Sequence, residues 1–267
     1  MTRPGMPSLT VALGLLFMVC SLASYAQLKL YPALKAPHDF GYAAHSEGII
    51  PVNTINLPFW EDFSSGKLRQ GLWHPASNIW INYGMAIQPP TLGVATFDGL
   101  DKEGKPYSLT PQTFGFGDSL LSLPINLNNV ILDERNTVFI SFFWQKQGKG
   151  EAPDPEDFLE LRFKDVNGIW TTVWSVNGSV DAPRTQFKLE NIAINQNRYF
   201  HAGFQFMFRS ASKLSGPFDT WNLDYIFLDK NRKSTEKSFL DRSISTPPAS
   251  IFGRYNLIPT DLLQQYA

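Results

Sequence analysis

The feature that most constrains this chain is a two-residue rhythm of greasy and wet side chains. Phe158-Leu-Glu-Leu-Arg-Phe-Lys164 places Leu159, Leu161 and Phe163 on one side of an extended backbone and Glu160, Arg162 and Lys164 on the other. A β-strand with one buried face satisfies that pattern, and a helix would scatter the same residues around its circumference. Phe204, Phe206 and Phe208 repeat the device with Gln205 and Arg209 outward, and Trp221, Leu223, Tyr225 and Phe227 repeat it again. The nearly continuous apolar run 137–145 predicts a central strand, and further strands are expected at 80–83, 94–97, 119–123, 168–176 and 186–194. Turns are expected at Asp98-Gly99, Asn167-Gly168 and Asn177-Gly178, where glycine supplies a positive φ at little cost. No stretch of the body joins helical period, cap and length, and one short helix is expected near Thr260–Tyr266. The expected fold is all-β: an antiparallel two-sheet jelly-roll sandwich with an extended N-terminal lead-in and a short C-terminal tail.

The start of the chain reads as an address. Arg3 is followed by the apolar run Val11–Cys20, which is shorter than the roughly 20 residues a membrane-spanning helix needs. Ser24-Tyr25-Ala26 then places small residues at −3 and −1 of a cleavage site before Gln27, so residues 1–26 are expected to be a secretory signal peptide. A competing reading makes Cys20 a lipoprotein cysteine, but Phe17-Met18-Val19 lacks the small residue that a lipobox places before the Cys. Cleavage would remove the single cysteine, excluding disulfides, Cys-based metal sites and a Cys nucleophile from the exported product. The product is expected in the periplasm, at the outer membrane or outside the cell. Residues 27–56 read as the lead-in, 57–229 as the sandwich, and 230–267 as a charged, Ser- and Pro-containing linker and tail.

Composition narrows the function classes. A formal net charge of −1, from 23 Lys+Arg against 24 Asp+Glu, excludes the basic surplus of a nucleic-acid binder. The aromatic content of 14% fits neither a disordered nor a coiled-coil chain and supplies ample core.

Three stretches carry a resemblance: Leu57-Pro-Phe-Trp-Glu-Asp-Phe63, Val94-Ala-Thr-Phe-Asp-Gly99 and Asp219-Thr-Trp-Asn-Leu-Asp-Tyr-Ile-Phe-Leu228. An acidic residue beside an aromatic at the opening, with Trp-x-hydrophobic-Asp-aromatic-Ile at the close, resembles the concanavalin/MAM-like jelly-roll domains. The likeness is to those in large surface and secreted proteins of gliding bacteria that use type IX secretion. It spans roughly residues 57–229 and implies a sandwich used for adhesion, glycan contact or scaffolding, in some members with a structural calcium ion. By that likeness Asp62 and Asp224 are the matching acidic positions, with Glu61 and Asp98 in support. Those proteins usually carry a separate C-terminal sorting domain, and nothing after Leu228 is long or β-rich enough to be one. The chain is therefore expected to stay with the periplasm or an assembly, or to be the front of something longer.

Calcium needs six to eight oxygens, and Asp62, Asp98, Asp219 and Asp224 lie near expected strand ends that a jelly roll could gather. The alternative is that these residues cap turns or accept from buried backbone donors. Glu156 and Glu160 form part of the densest acidic run, but four strand residues separate them by roughly 13 Å, beyond the carboxyl spacing of glycoside hydrolysis. Glu160, opposite the apolar face, is expected to meet solvent. None of the four histidines stands in a metal-protease spacing, Gly-x-Ser-x-Gly is missing, and Gly115-Phe-Gly117 reads as a lone Gly-rich turn. The aromatic surplus points to sugar stacking: Trp170 and Trp174, expected on one face with Thr172, and Trp73 are the candidate platform, against the alternative that they are core. The expected function is non-catalytic: a module for adhesion or for binding a glycan or surface protein. The alternatives are a structural subunit of an outer-membrane secretion or gliding assembly and a glycoside-hydrolase-like enzyme. In the assembly reading, Ile251, Phe252, Tyr255, Leu257, Ile258, Leu262 and Leu263 of the tail would contact a partner.

Overall fold

The computed structural model describes residues 54–236. The expected signal peptide, most of the lead-in, the apolar tail and its short helix lie outside the described residues. Ten strands follow in order: β1 (Phe59–Glu61), β2 (Trp80–Asn82), β3 (Val94–Phe97), β4 (Phe114–Leu121), β5 (Phe139–Lys146), β6 (Phe158–Lys164), β7 (Trp170–Asn177), β8 (Lys188–Ala193), β9 (Gln205–Lys213) and β10 (Trp221–Asp229). One sheet runs β2-β3-β10-β5-β8, with β1 paired to the far end of β10; the other runs β4-β9-β6-β7, and all pairings are antiparallel. The pairs β3/β10, β4/β9, β5/β8 and β6/β7 nest one inside another along the chain. A long hairpin folded over on itself gives that nesting, which makes the sandwich a jelly roll.

The core lies between the sheets, and edge-to-face aromatics join them. Phe59 of β1 meets Phe206 of β9 at 5.0 Å, and Phe142 of β5 meets Phe208 of β9 at 4.8 Å. The alternation in β6 does what its pattern demands: Leu159, Leu161 and Phe163 are wholly buried. Ile55 bridges to Ile125, so the end of the lead-in joins the sandwich. Past β10, the buried Arg232 guanidinium donates to Phe139 O, Phe227 O and Ser141 Oγ, which holds the chain against the six-stranded sheet.

Two bulges reset faces that simple alternation assigns differently. The β10–β5 register shifts between Asp224 and Phe227, and Tyr225 takes φ +47°. Beyond the bulge, Ile226 and Leu228 enter the core, while Phe227 pairs with Trp60 and Ser141 on the opposite face. The expected row Trp221, Leu223, Tyr225 and Phe227 is therefore broken after Leu223, because the extra residue reverses the pleat. In β7 the partner of Leu161 is Trp174 but the partner of Arg162 is Thr172, so Val173 is the extra residue. β4 also begins earlier than its expected 119, at Phe114, because the Phe-Gly-Phe-Gly segment pairs with β9.

Of the expected turn glycines, Gly168 adopts φ +81°. Gly178 is needed for a different reason: a Cβ there would lie 1.9 Å from Asp154 O, so its missing side chain lets two loops touch.

Candidate ligand-binding face

The outer face of the four-stranded sheet carries an unusual set of side chains. Residues paired across antiparallel strands share a face, so Phe158, Glu160, Arg162 and Lys164 stand outward with Arg209, Met207, Gln205, Thr172 and Trp170. Phe114 and Phe116 join them from β4, 49% and 54% exposed. Other apolar side chains of the described residues are as exposed, Leu109 and Leu132 among them, but these two rings stand together on one sheet face among charged neighbours. The reason is local: Gly115 and Gly117 take the inward positions, and the space there is filled by the Leu214 side chain. The reading of 115–117 as an isolated turn missed these rings. Their period-2 spacing beside glycines was the signal available, since glycine offers nothing to bury on the other face.

The Phe116 ring is held rather than loose. The Arg209 guanidinium lies 3.6 Å from the centroid of Phe116, and Phe116 meets Phe158 edge to face at 6.1 Å. Arg209 Nε also donates to Glu160 Oε1, and Thr172 Oγ1 donates to Glu160 Oε2 at 2.6 Å. Glu160, expected in solvent, is only 5% exposed because these neighbours enclose it. Beside the cluster opens a groove of about 640 Å³ lined by Pro155, Phe158, Glu160, Ser175, Asn177 and Val180, among others. Its lining combines apolar side chains with amide, hydroxyl and carboxylate groups.

An acidic group lies at the same end of the sandwich. Asp154 and Asp157 sit in the β5–β6 loop, where Asp157 N–H donates to Asp154 O at 3.0 Å. Asp219, in the β9–β10 loop with φ +60°, accepts from Lys213 N–H at 3.2 Å. One carboxylate oxygen from each of the three lies within 4.8 Å of the others. Burial and the neighbouring Asp219 carboxylate push Asp157 up to about 7. Lys213 Nζ pairs with Asp154 Oδ2. This group could hold a metal such as calcium.

The acids expected from sequence do not converge in the same way. Glu61 points into the core, where its Oε2 accepts from Trp73 Nε1 at 3.0 Å and its Oε1 from Phe63 N–H at 3.1 Å. Burial raises its pKa, and those hydrogen bonds and Arg69 pull it back. Asp62 caps Ser64 through its N–H and hydroxyl, with Arg69 at 3.7 Å. Asp98 accepts from Leu100 N–H, and its own N–H donates to Asp118. Asp224 is fully buried, accepts from Thr91 N–H at 2.8 Å, Thr91 Oγ1 at 2.7 Å and Tyr225 N–H at 2.6 Å, and is pushed up to about 7 by burial. Thr91 Oγ1 also lies 2.8 Å from Asp62 O, so Asp62 and Asp224 approach each other across that side chain. Asp224's two oxygens are met by N–H and O–H donors, which is the work of a buried hydrogen-bond acceptor.

The tryptophans separate as well. Trp73 is 5% exposed and enclosed by Phe59, Phe63 and Phe206, so it offers no face to a ligand. Trp174 turns inward against Phe142 and Trp144. Trp170 pairs with Lys164 on the outer face. The Val173 bulge lies between the two, so Trp170 and Trp174 stand on opposite faces instead of the expected shared one.

No protein-family model matches the chain, and no curated protein matches it. Solved structures with related shapes include the K1 cleaved adhesin domain of Lys-gingipain from Porphyromonas gingivalis W83, at TM-score 0.39 and 12% identity over 64% of this chain and 97% of that one. The C-terminal family 22 carbohydrate-binding module of Clostridium thermocellum Xyn10B superposes at TM-score 0.35 and 10% identity, over 64% of this chain and 91% of that one. A cyclase from Fischerella sp. TAU superposes at TM-score 0.34 and 15% identity, over 66% and 86%. Such divergent superpositions say nothing about what this chain binds.

Proposed function

We propose that this chain is an exported, non-catalytic binding module that takes an extended glycan on the outer face of its four-stranded sheet. The observation that carries this reading is the pair of half-exposed rings, Phe114 and Phe116, with Arg209 stacked on one of them beside an open groove. A pyranose has an apolar face of C–H groups and a rim of hydroxyls. Phe116 and Phe158 suit the face, and Arg209, Thr172, Ser175 and Asn177 suit the rim. Glu160 fixes Arg209 in place, so the stack is organised before a ligand arrives, which lowers the entropy cost of binding. The leader pattern at residues 1–26 supports export, and the resemblance of the opening and closing motifs to jelly-roll domains of surface proteins suits a role at a cell surface.

Affinity electrophoresis through gels containing β-glucan, xylan or mannan tests the reading. At least one polysaccharide should retard the wild-type chain, and the double variant F114A/F116A should migrate freely in the same gel. Retardation unchanged in the double variant, or free migration of the wild type in every gel, would overturn it.

A further inference from the structure

We propose that Asp154, Asp157 and Asp219 form a calcium site that ties the β5–β6 loop to the β9–β10 loop at one end of the sandwich. The first support is geometric. Three carboxylate oxygens within 4.8 Å of one another fit inside the oxygen shell of Ca²⁺, whose ligands stand about 2.3–2.6 Å from the ion.

The second support is an unmet acceptor. Asp157 is wholly buried, yet its Oδ1 has no hydrogen-bond partner. Its other oxygen accepts from Asp154 N–H at 2.5 Å, which fixes the carboxylate so that the unpaired oxygen stays with the group. Burying a carboxylate oxygen without a donor is costly, and placing it near a second carboxylate, on Asp219, adds like-charge repulsion. A cation among the three removes both penalties at once.

The third support is charge. The three carboxylates are accompanied by one ammonium, Lys213, paired with Asp154. With all three ionised the remaining charge would be −2, which a divalent ion would offset. Lys213 holds only the most exposed of the three acids, whereas Asp157 and Asp219 are buried. Backbone hydrogen bonds bring the two loops within reach: Thr220 N–H donates to Glu151 O at 3.0 Å, and Gln147 N–H donates to Thr220 O at 2.8 Å. The site is independent of whether the neighbouring groove takes a glycan.

The test uses the full-length chain stripped with a chelator. Isothermal titration with CaCl₂ should show one site, and calcium at 100 times its dissociation constant should raise the melting temperature by about 5–10 °C. D157N should melt at or above the calcium-free wild type, since it removes the repulsion, but should lose the calcium response. D219N should lose the response too, and D62N should keep it. The proposal fails if the wild type shows neither heat nor a melting shift. It fails equally if D157N and D219N respond like the wild type, or if D62N loses the response while D157N keeps it.

Discussion

Asp224 offers a stability prediction that can be worked through in numbers. Its carboxyl is wholly buried on the outer face of the six-stranded sheet and titrates near 7 in the folded chain, against about 3.9 for an exposed Asp in the unfolded one. The folded state therefore binds more protons than the unfolded state between those two values. Stability must fall as pH rises through that window and level off above it. Integrating between pH 5.5 and pH 8 gives a loss of about 2 kcal/mol from this one group. The assay is equilibrium urea denaturation at the two pH values for the wild type and for D224N. Other buried acids, Glu61 and Asp229 among them, shift in the same direction, so the informative quantity is the difference in pH slope. D224N cannot titrate, and its stability difference between pH 5.5 and pH 8 should be smaller by about 2 kcal/mol. Equal slopes in the two proteins would show that Asp224 is ionised throughout. In that case the three hydrogen bonds it accepts outweigh its burial.

Three further outcomes are expected. Phe206→Ala removes a fully buried ring in contact with Phe59, Trp73 and Phe208 and should cost about 3–5 kcal/mol in urea denaturation. Gly178→Ala forces a methyl against Asp154 O and should cost about 1–3 kcal/mol, and local hydrogen exchange should rise in the β5–β6 loop. Covering the exposed halves of Phe114 and Phe116 with a ligand is worth about 1.5–3 kcal/mol together, so F114A/F116A should weaken glycan affinity by roughly 10- to 150-fold in titration calorimetry, with little change in melting.

What could be read from the residues, and what could not, follows the range of the forces involved. The alternation of β6 and the apolar run of β5 are local, and both elements stand where the pattern put them. Bulges are set by how one strand meets another, which is why the faces of Tyr225, Phe227 and Trp174 escaped a period-2 reading. Glu160 looked wet because its enclosure comes from Arg209 on β9 and Thr172 on β7, not from its own strand. The acidic group is half legible: Asp219 lies near an expected strand end, while Asp154 and Asp157 reach it only through the jelly-roll connectivity. Phe114 and Phe116 were legible in principle, since glycines at alternate positions leave the rings no inward alternative.

The most direct measurement is an amide chemical-shift titration of the isotope-labelled chain with oligosaccharides of the polysaccharide that retards it in the gel. A glycan seated as argued should move amides along β4, β6, β7 and β9, centred on Phe116, Glu160, Thr172 and Arg209, and leave β3, β5 and β10 still. Movement confined to the six-stranded sheet, with the Phe116 and Arg209 signals unchanged at saturation, would contradict it.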